Sequence, residues 1–150
     1  MIVYLDASAL VKRYVAESGS AEMGHLIAHA DAVGTSLISR AEVAAALAKA
    51  VRMDVLSRDE ALAALQVFRA QWTDLARLQL TELILAQADS LTWEHGLRGY
   101  DAVHLAAALF WQETLGEPVT LATFDVQLWH AGRAAGLLPW PASLEPLQFG

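Results

Sequence analysis

Met1-Ile2-Val3-Tyr4-Leu5-Asp6-Ala7-Ser8-Ala9-Leu10 is the stretch that decides the fold. Ile2–Leu5 is short, apolar and partly β-branched, the pattern of a strand buried on both faces. Asp6 ends it. Residues 9–16 then carry Leu10, Val11, Tyr14 and Val15 on one helical stripe, with Lys12 and Arg13 outside. A strand that is apolar on both sides must be covered on both sides. Helices do this in a parallel sheet.

The same alternation continues down the chain. Residues 21–30 read as a helix and 32–37 as a strand. An alanine-rich helix runs from Ser39 to about Val51, and a longer one from Ser57 to about Leu75. Residues 78–80 form the expected third strand, and Thr81 caps a helix over 82–94. Gly96-Leu97-Arg98-Gly99 interrupts the pattern. Residues 100–115 are almost wholly apolar and read as a buried helix closed by Gly116 and Pro118. A strand over 119–122 and a helix over 125–135 follow. The tail, with Pro139, Pro141 and Pro146, is irregular or a short edge strand. The expectation is one α/β domain over residues 1–150. It has a mainly parallel central sheet of four to five strands, flanked by helices on both faces.

Composition narrows the function. The 150 residues are 55% apolar and 18% charged, which excludes a disordered tail. There is no cysteine, so disulfides, thiolate zinc sites and cysteine nucleophiles are excluded. Seventeen acids against ten bases give a net charge of −7, which argues against a broad duplex-gripping basic face. The apolar run 102–111 is too short to span a membrane and contains His104. The start has no basic lead-in to a secretory signal, and a cytoplasmic location is expected.

Position makes four acids stand out. Asp6 ends the first strand, Glu42 lies in the first turn after the second, and Asp125 follows the fourth. Sites in open parallel sheets form outside the carboxyl ends of the strands. Asp101 heads a helix that must run antiparallel to the strand it feeds, so it reaches the same edge. Clustered carboxylates repel, and a divalent cation relieves them. Oxygen ligands without cysteine suit Mg²⁺, or Mn²⁺, in preference to Zn²⁺. Such an ion activates water and neutralises a phosphodiester oxygen, which points to phosphodiester hydrolysis.

Each acid also has a plainer explanation. Asp6 and Asp125 suit helix caps. Asp101 suits a helix N-terminus. Ser39-x-x-Glu42 matches a capping box, as Ser57-x-x-Glu60 does. His104, one turn beyond Asp101, reads as a hydrogen-bonded packing residue.

Taken together, the motifs resemble a known family. Asp6-Ala7-Ser8-Ala9-Leu10, Thr35-Ser36-Leu37-Ile38-Ser39-Arg40-Ala41-Glu42, Tyr100-Asp101-Ala102-Val103-His104-Leu105-Ala106-Ala107-Ala108 and Thr123-Phe124-Asp125 resemble, in order, the four motifs of PIN-domain ribonucleases. Size and compactness resemble the VapC-type toxins of toxin–antitoxin pairs. The resemblance implies a PIN-like three-layer fold and a Mg²⁺-dependent endoribonuclease acting on cellular RNA. It also implies inhibition by a cognate antitoxin, and a homodimer. By position it makes Asp6 and Asp101 the principal metal ligands, with Asp125 completing the site directly or through water. Glu42 would orient the activated water or a second ion. Ser8, Ser39 and Thr123 would be supporting hydroxyls. Arg13 and Arg40 are candidate contacts to RNA phosphates. Helix surface within residues 9–30 and 43–75 is the expected dimer or antitoxin face.

Two other functions compete. A haloacid-dehalogenase-type phosphohydrolase also begins with a strand ending in Asp. It calls for a second Asp two residues on, where this chain has Ser8, and for a downstream lysine, for which Lys49 is the candidate. Trapping an aspartyl-phosphate with a phosphate mimic would identify it. A non-catalytic module with an acidic pocket would show no response to Mg²⁺.

Overall fold

The computed structural model describes residues 1–143. Five parallel strands form one sheet in the order β3-β2-β1-β4-β5. They are β1 (Ile2–Leu5), β2 (Ala32–Ser36), β3 (Ala76–Leu78), β4 (Val119–Ala122) and β5 (Leu138–Trp140). The helices are α1 (Ala7–Val11), α2 (Ser20–His29), α3 (Ser39–Arg52), α4 (Arg58–Gln71), α5 (Glu82–His95), α6 (Gly99–Leu115) and α7 (Val126–Ala135).

Strand alternation sorts the core into two layers. Ile2 and Tyr4 face one way, with Leu121, and are covered by α5, α6 and α7 through Ile84, Leu105 and Leu128. Val3 and Leu5 face the other way, under α1 to α4, against Leu10, Met23, Val43 and Phe68. Phe68 is fully buried and meets Tyr14 and Trp72 edge-on, with ring centroids 5.3 and 5.4 Å away. The expected α/β architecture with both sheet faces covered is therefore the observed one.

Boundaries differ where tertiary pairing outweighs local pattern. The third strand is Ala76–Leu78, not 78–80. Its register on β2 sets Ala76 opposite Gly34 and Leu78 opposite Ser36, which frees Leu80 to pack on the α5–α6 side. The first helix starts earlier, because Asp6 caps it at the Ala9 amide, and ends at Val11 in tight turns over Arg13 and Tyr14. The long helix stops at Gln71. A 3₁₀ turn, Trp72–Asp74, then rolls Leu75 into the core. The tail contributes edge strand β5, and Pro146 lies outside the described residues.

Gly34 shows how closely β2 meets α6. A Cβ there would lie 2.7 Å from Trp111 Cη2 and 3.1 Å from the Ala76 carbonyl oxygen. The rigid indole has no flexible end to yield. Gly34→Ala is expected to cost about 1–3 kcal/mol of stability in urea unfolding. A neutral result would show that α6 can slide off the sheet.

Among the described residues, no helix is long and apolar enough to cross a membrane.

Candidate active site

The carboxyl edge of the sheet is where the four acids were expected; side-chain bonds join Asp6, Asp125 and Asp101 through Thr123 and Arg98, and Glu42 is held separately by His104. Leu5 pairs with Ala122, so the residues after β1 and β4 start level. Asp6, nearly fully buried, follows Leu5. Thr123, fully buried, follows Ala122 and donates to Asp6 Oδ2 at 2.6 Å. Thr123 Oγ1 in turn accepts from the Asp125 amide at 3.0 Å. Ser8 Oγ donates to Asp6 at 2.7 Å and accepts from the Phe124 amide at 3.0 Å. These two hydroxyls pin the β1 and β4 loops to one carboxylate.

The cap explanations divide. Asp6 Oδ1 accepts from the Ala9 amide at 2.9 Å, and Asp125 Oδ1 from the Leu128 amide at 2.9 Å. Both are true caps on one oxygen. Asp125 keeps Oδ2 outward, where Arg98 binds it at 3.1 Å. Among the described residues, Asp101 caps no helix, and its only side-chain bond is from Arg98 Nε, at 3.3 Å. Arg98 thus lies across both carboxylates, with its own side chain 76% exposed.

The capping box at Glu42 does not form. The residue at the cap position of α3 is Ile38, and it makes no side-chain cap bond. Ser39 is instead buried within the helix. Its hydroxyl lies 2.6 Å from Thr35 Oγ1, which itself donates to the Leu5 carbonyl at 2.6 Å. Glu42 is released from the backbone, and its Oε1 meets His104 Nε2 at 2.6 Å. The identical spacing at Ser57 and Glu60 does close a capping box, with both bonds present. Ser39 at the start of α3 is buried and Ser57 before α4 is exposed, and that difference separates the two.

His104 is a hydrogen-bonded buried residue, as expected, but its partners matter more than its packing. Nδ1 lies 2.8 Å from the Tyr4 hydroxyl while Nε2 holds Glu42. In sequence, Tyr4 reads only as part of the first strand and Arg98 only as part of the break before the apolar helix. The three-residue spacing of Arg98 and Asp101 at a helix start was the available clue. Arg13 and Arg40 are exposed, and among the described residues neither makes an ion pair. Arg40 lies over the Trp72 ring instead.

The electrostatics are those of a site short of positive charge. Burial holds the Asp6 carboxyl above its usual range, against the pull of His104 and of its hydroxyl and amide donors. Burial also raises Asp101. The Asp125 charge adds to that rise, and Arg98 offsets part of it. Among the described residues, no three His, Asp or Glu side chains stand ready to hold a metal as they are turned here. The donor set nonetheless fits a hard divalent cation. It is made of carboxylates, two of them are disfavoured as anions, and the pair Asp101–Asp125 already draws a cationic side chain across itself.

Comparison with known proteins agrees with this architecture. The PIN domain family model matches residues 3–133. Over 146 residues the chain is 38% identical to Ribonuclease VapC45 of Mycobacterium tuberculosis (strain CDC 1551 / Oshkosh), covering 97% of this chain and 99% of that protein. PAE2754 from Pyrobaculum aerophilum shares the fold, with a TM-score of 0.66 at 22% identity over 100% of this chain and 97% of that one. A toxin–antitoxin complex from Klebsiella pneumoniae shares it too, with a TM-score of 0.62 at 19% identity over 96% and 97% of the two chains. With a family match from the first strand through the last helix, and a relative aligned end to end, the chain belongs to the PIN-domain family, among its VapC-type ribonucleases.

Proposed function

We propose that the chain is a Mg²⁺-dependent endoribonuclease, with Mn²⁺ as an alternative ion, and the toxin of a toxin–antitoxin pair. The observation that carries this reading is the arrangement of Asp6, Asp101, Asp125 and Glu42. They come from four separate segments and are held by Thr123, Arg98 and His104. Asp6, Asp101 and Asp125 would hold the cation, with Glu42 beside them. When bound, the ion would lower the pKa of water and neutralise charge developing on the phosphodiester. Ser8 and Thr123 fix the Asp6 carboxylate. Glu42, whose Oε1 is held by His104, would accept or orient a proton-bearing group at its other oxygen. Arg98, once released from the acids, is free to meet an RNA phosphate, and Arg13 and Arg40 remain candidate phosphate contacts.

The haloacid-dehalogenase alternative loses support. Ser8 is committed to Asp6 and the Phe124 amide, and Lys49 is exposed about two turns beyond Glu42 on α3. A groove between α3 and α4, with Leu47, Val51, Leu62 and Leu65 in its lining and Arg52 and Arg58 at its side, supports an antitoxin segment as partner. A homodimer and a cytoplasmic location belong to the same reading.

The test is cleavage of a panel of structured RNAs by purified, antitoxin-free protein. It is run with Mg²⁺, with Mn²⁺ and with chelator, beside Asp101→Asn. Metal-dependent cutting that the variant lacks is expected. No cutting with any metal, together with no Mg²⁺-dependent rise in melting temperature, sinks the catalytic reading.

A further inference from the structure

His104 is among the most enclosed polar side chains of the described residues, 1% exposed on the mostly apolar helix α6. It joins three elements. Tyr4 of β1 meets its Nδ1 at 2.8 Å, and Glu42 of α3 meets its Nε2 at 2.6 Å. The Tyr4 ring lies edge-on, 5.8 Å between centroids at 71°, so the imidazole plane is fixed as well as its ends.

Both ring nitrogens are engaged. The completely buried Tyr4 hydroxyl holds Nδ1, and Glu42 Oε1 meets Nε2 at hydrogen-bond distance. One carboxylate oxygen is tied, and the side chain, a quarter exposed, keeps the other for the site.

We propose that His104, set by Tyr4, is a positioning residue that holds Glu42 in its working orientation for phosphodiester cleavage. This rests on the proposed nuclease reading. A packing role alone would be met by an apolar side chain of similar size, without two short polar bonds reaching different elements. The free carboxylate of Glu42 would otherwise choose among several rotamers at the start of α3, since no capping bond restrains it.

The two amide analogues separate the two bonds. Glutamine places a donor near the position of Nε2 and keeps the Glu42 contact. Asparagine places an acceptor near Nδ1 and keeps only Tyr4. Single-turnover RNA cleavage at saturating Mg²⁺ is measured for wild type, His104→Gln, His104→Asn, His104→Leu, Glu42→Gln and the His104→Leu/Glu42→Gln pair. Thermal melts establish that each is folded. His104→Leu and His104→Asn are expected to lose about 10- to 100-fold, and His104→Gln to recover most of that. In the Glu42→Gln background, His104→Leu should cost less than about threefold more, because the route it acts through is already gone. In the metal-free protein, the imidazole ¹⁵Nε2 signal should move in Glu42→Gln, and an unmoved signal overturns the proposal. Equal losses for Gln and Leu, or full additivity with Glu42→Gln, overturn the proposal while leaving the nuclease intact. Absence of metal-dependent cleavage in wild type overturns both.

Discussion

Asp6→Asn is expected to lower RNA cleavage by about a thousandfold while leaving the metal-free fold at least as stable as wild type. The two halves of this result come from the same carboxylate. Its amide, cap and hydroxyl partners can mostly be kept by asparagine, whose oxygen still accepts from the Ala9 amide and Ser8. The anion itself is disfavoured, because burial raises its pKa from 3.8. A carboxyl with a raised folded-state pKa binds its proton more tightly when folded. Stability is then highest below the unfolded value and falls as pH rises from 3.8 through the folded-state value. Melting temperatures of wild type and Asp6→Asn, measured from acid to neutral pH in chelator, should therefore diverge in favour of the variant as pH rises. With Mg²⁺ added, wild type alone should recover. A variant that is less stable at neutral pH, or that still gains from Mg²⁺, would show that Asp6 is a structural cap and no ligand.

Much of this site was legible in the chain because strand ends and helix starts are local signals. Asp6, Asp101 and Asp125 could be placed on one edge by topology alone, since a parallel strand and the helix that feeds it must run in opposite directions. What resisted was any choice between two bonds available to the same side chain. Ser39-x-x-Glu42 and Ser57-x-x-Glu60 are the same pattern, yet only the second closes on the backbone. The first is overruled by Thr35 and His104, four residues before Ser39 and 62 beyond Glu42 in sequence. Tyr4 was hidden for a similar reason. In an apolar strand its ring reads as core, which it is, and only the folded sheet brings its hydroxyl to α6. The shift of β3 to Ala76–Leu78 belongs to the same class, since strand register is a property of the pair and not of either segment.

Asp101→Asn and Arg98→Ala should move the site in opposite directions. Among the described residues the Asp101 side chain makes no bond to the backbone, so removing its charge leaves α6 intact. Its ion pair with the largely exposed Arg98 is worth about 0–1 kcal/mol. On the proposed function, Asp101→Asn nevertheless loses about a thousandfold in cleavage, because the remaining acids no longer hold the cation in place. Arg98 does the reverse. Its guanidinium lies on the same Asp101 and Asp125 oxygens that a divalent ion needs, so it competes for them. Without it, Asp101 keeps both influences that raise it, burial and the Asp125 charge, and loses the one that most offsets them. The acid pair then has more to gain from a metal. Mn²⁺ binding to RNA-free protein, followed by electron paramagnetic resonance, should tighten about two- to fivefold in Arg98→Ala, the scale of one partly exposed ion pair. It should be lost in Asp101→Asn. Equal Mn²⁺ affinity in wild type and Arg98→Ala would mean that the arginine yields at no cost, and weaker binding would mean that it supports the site instead of occupying it.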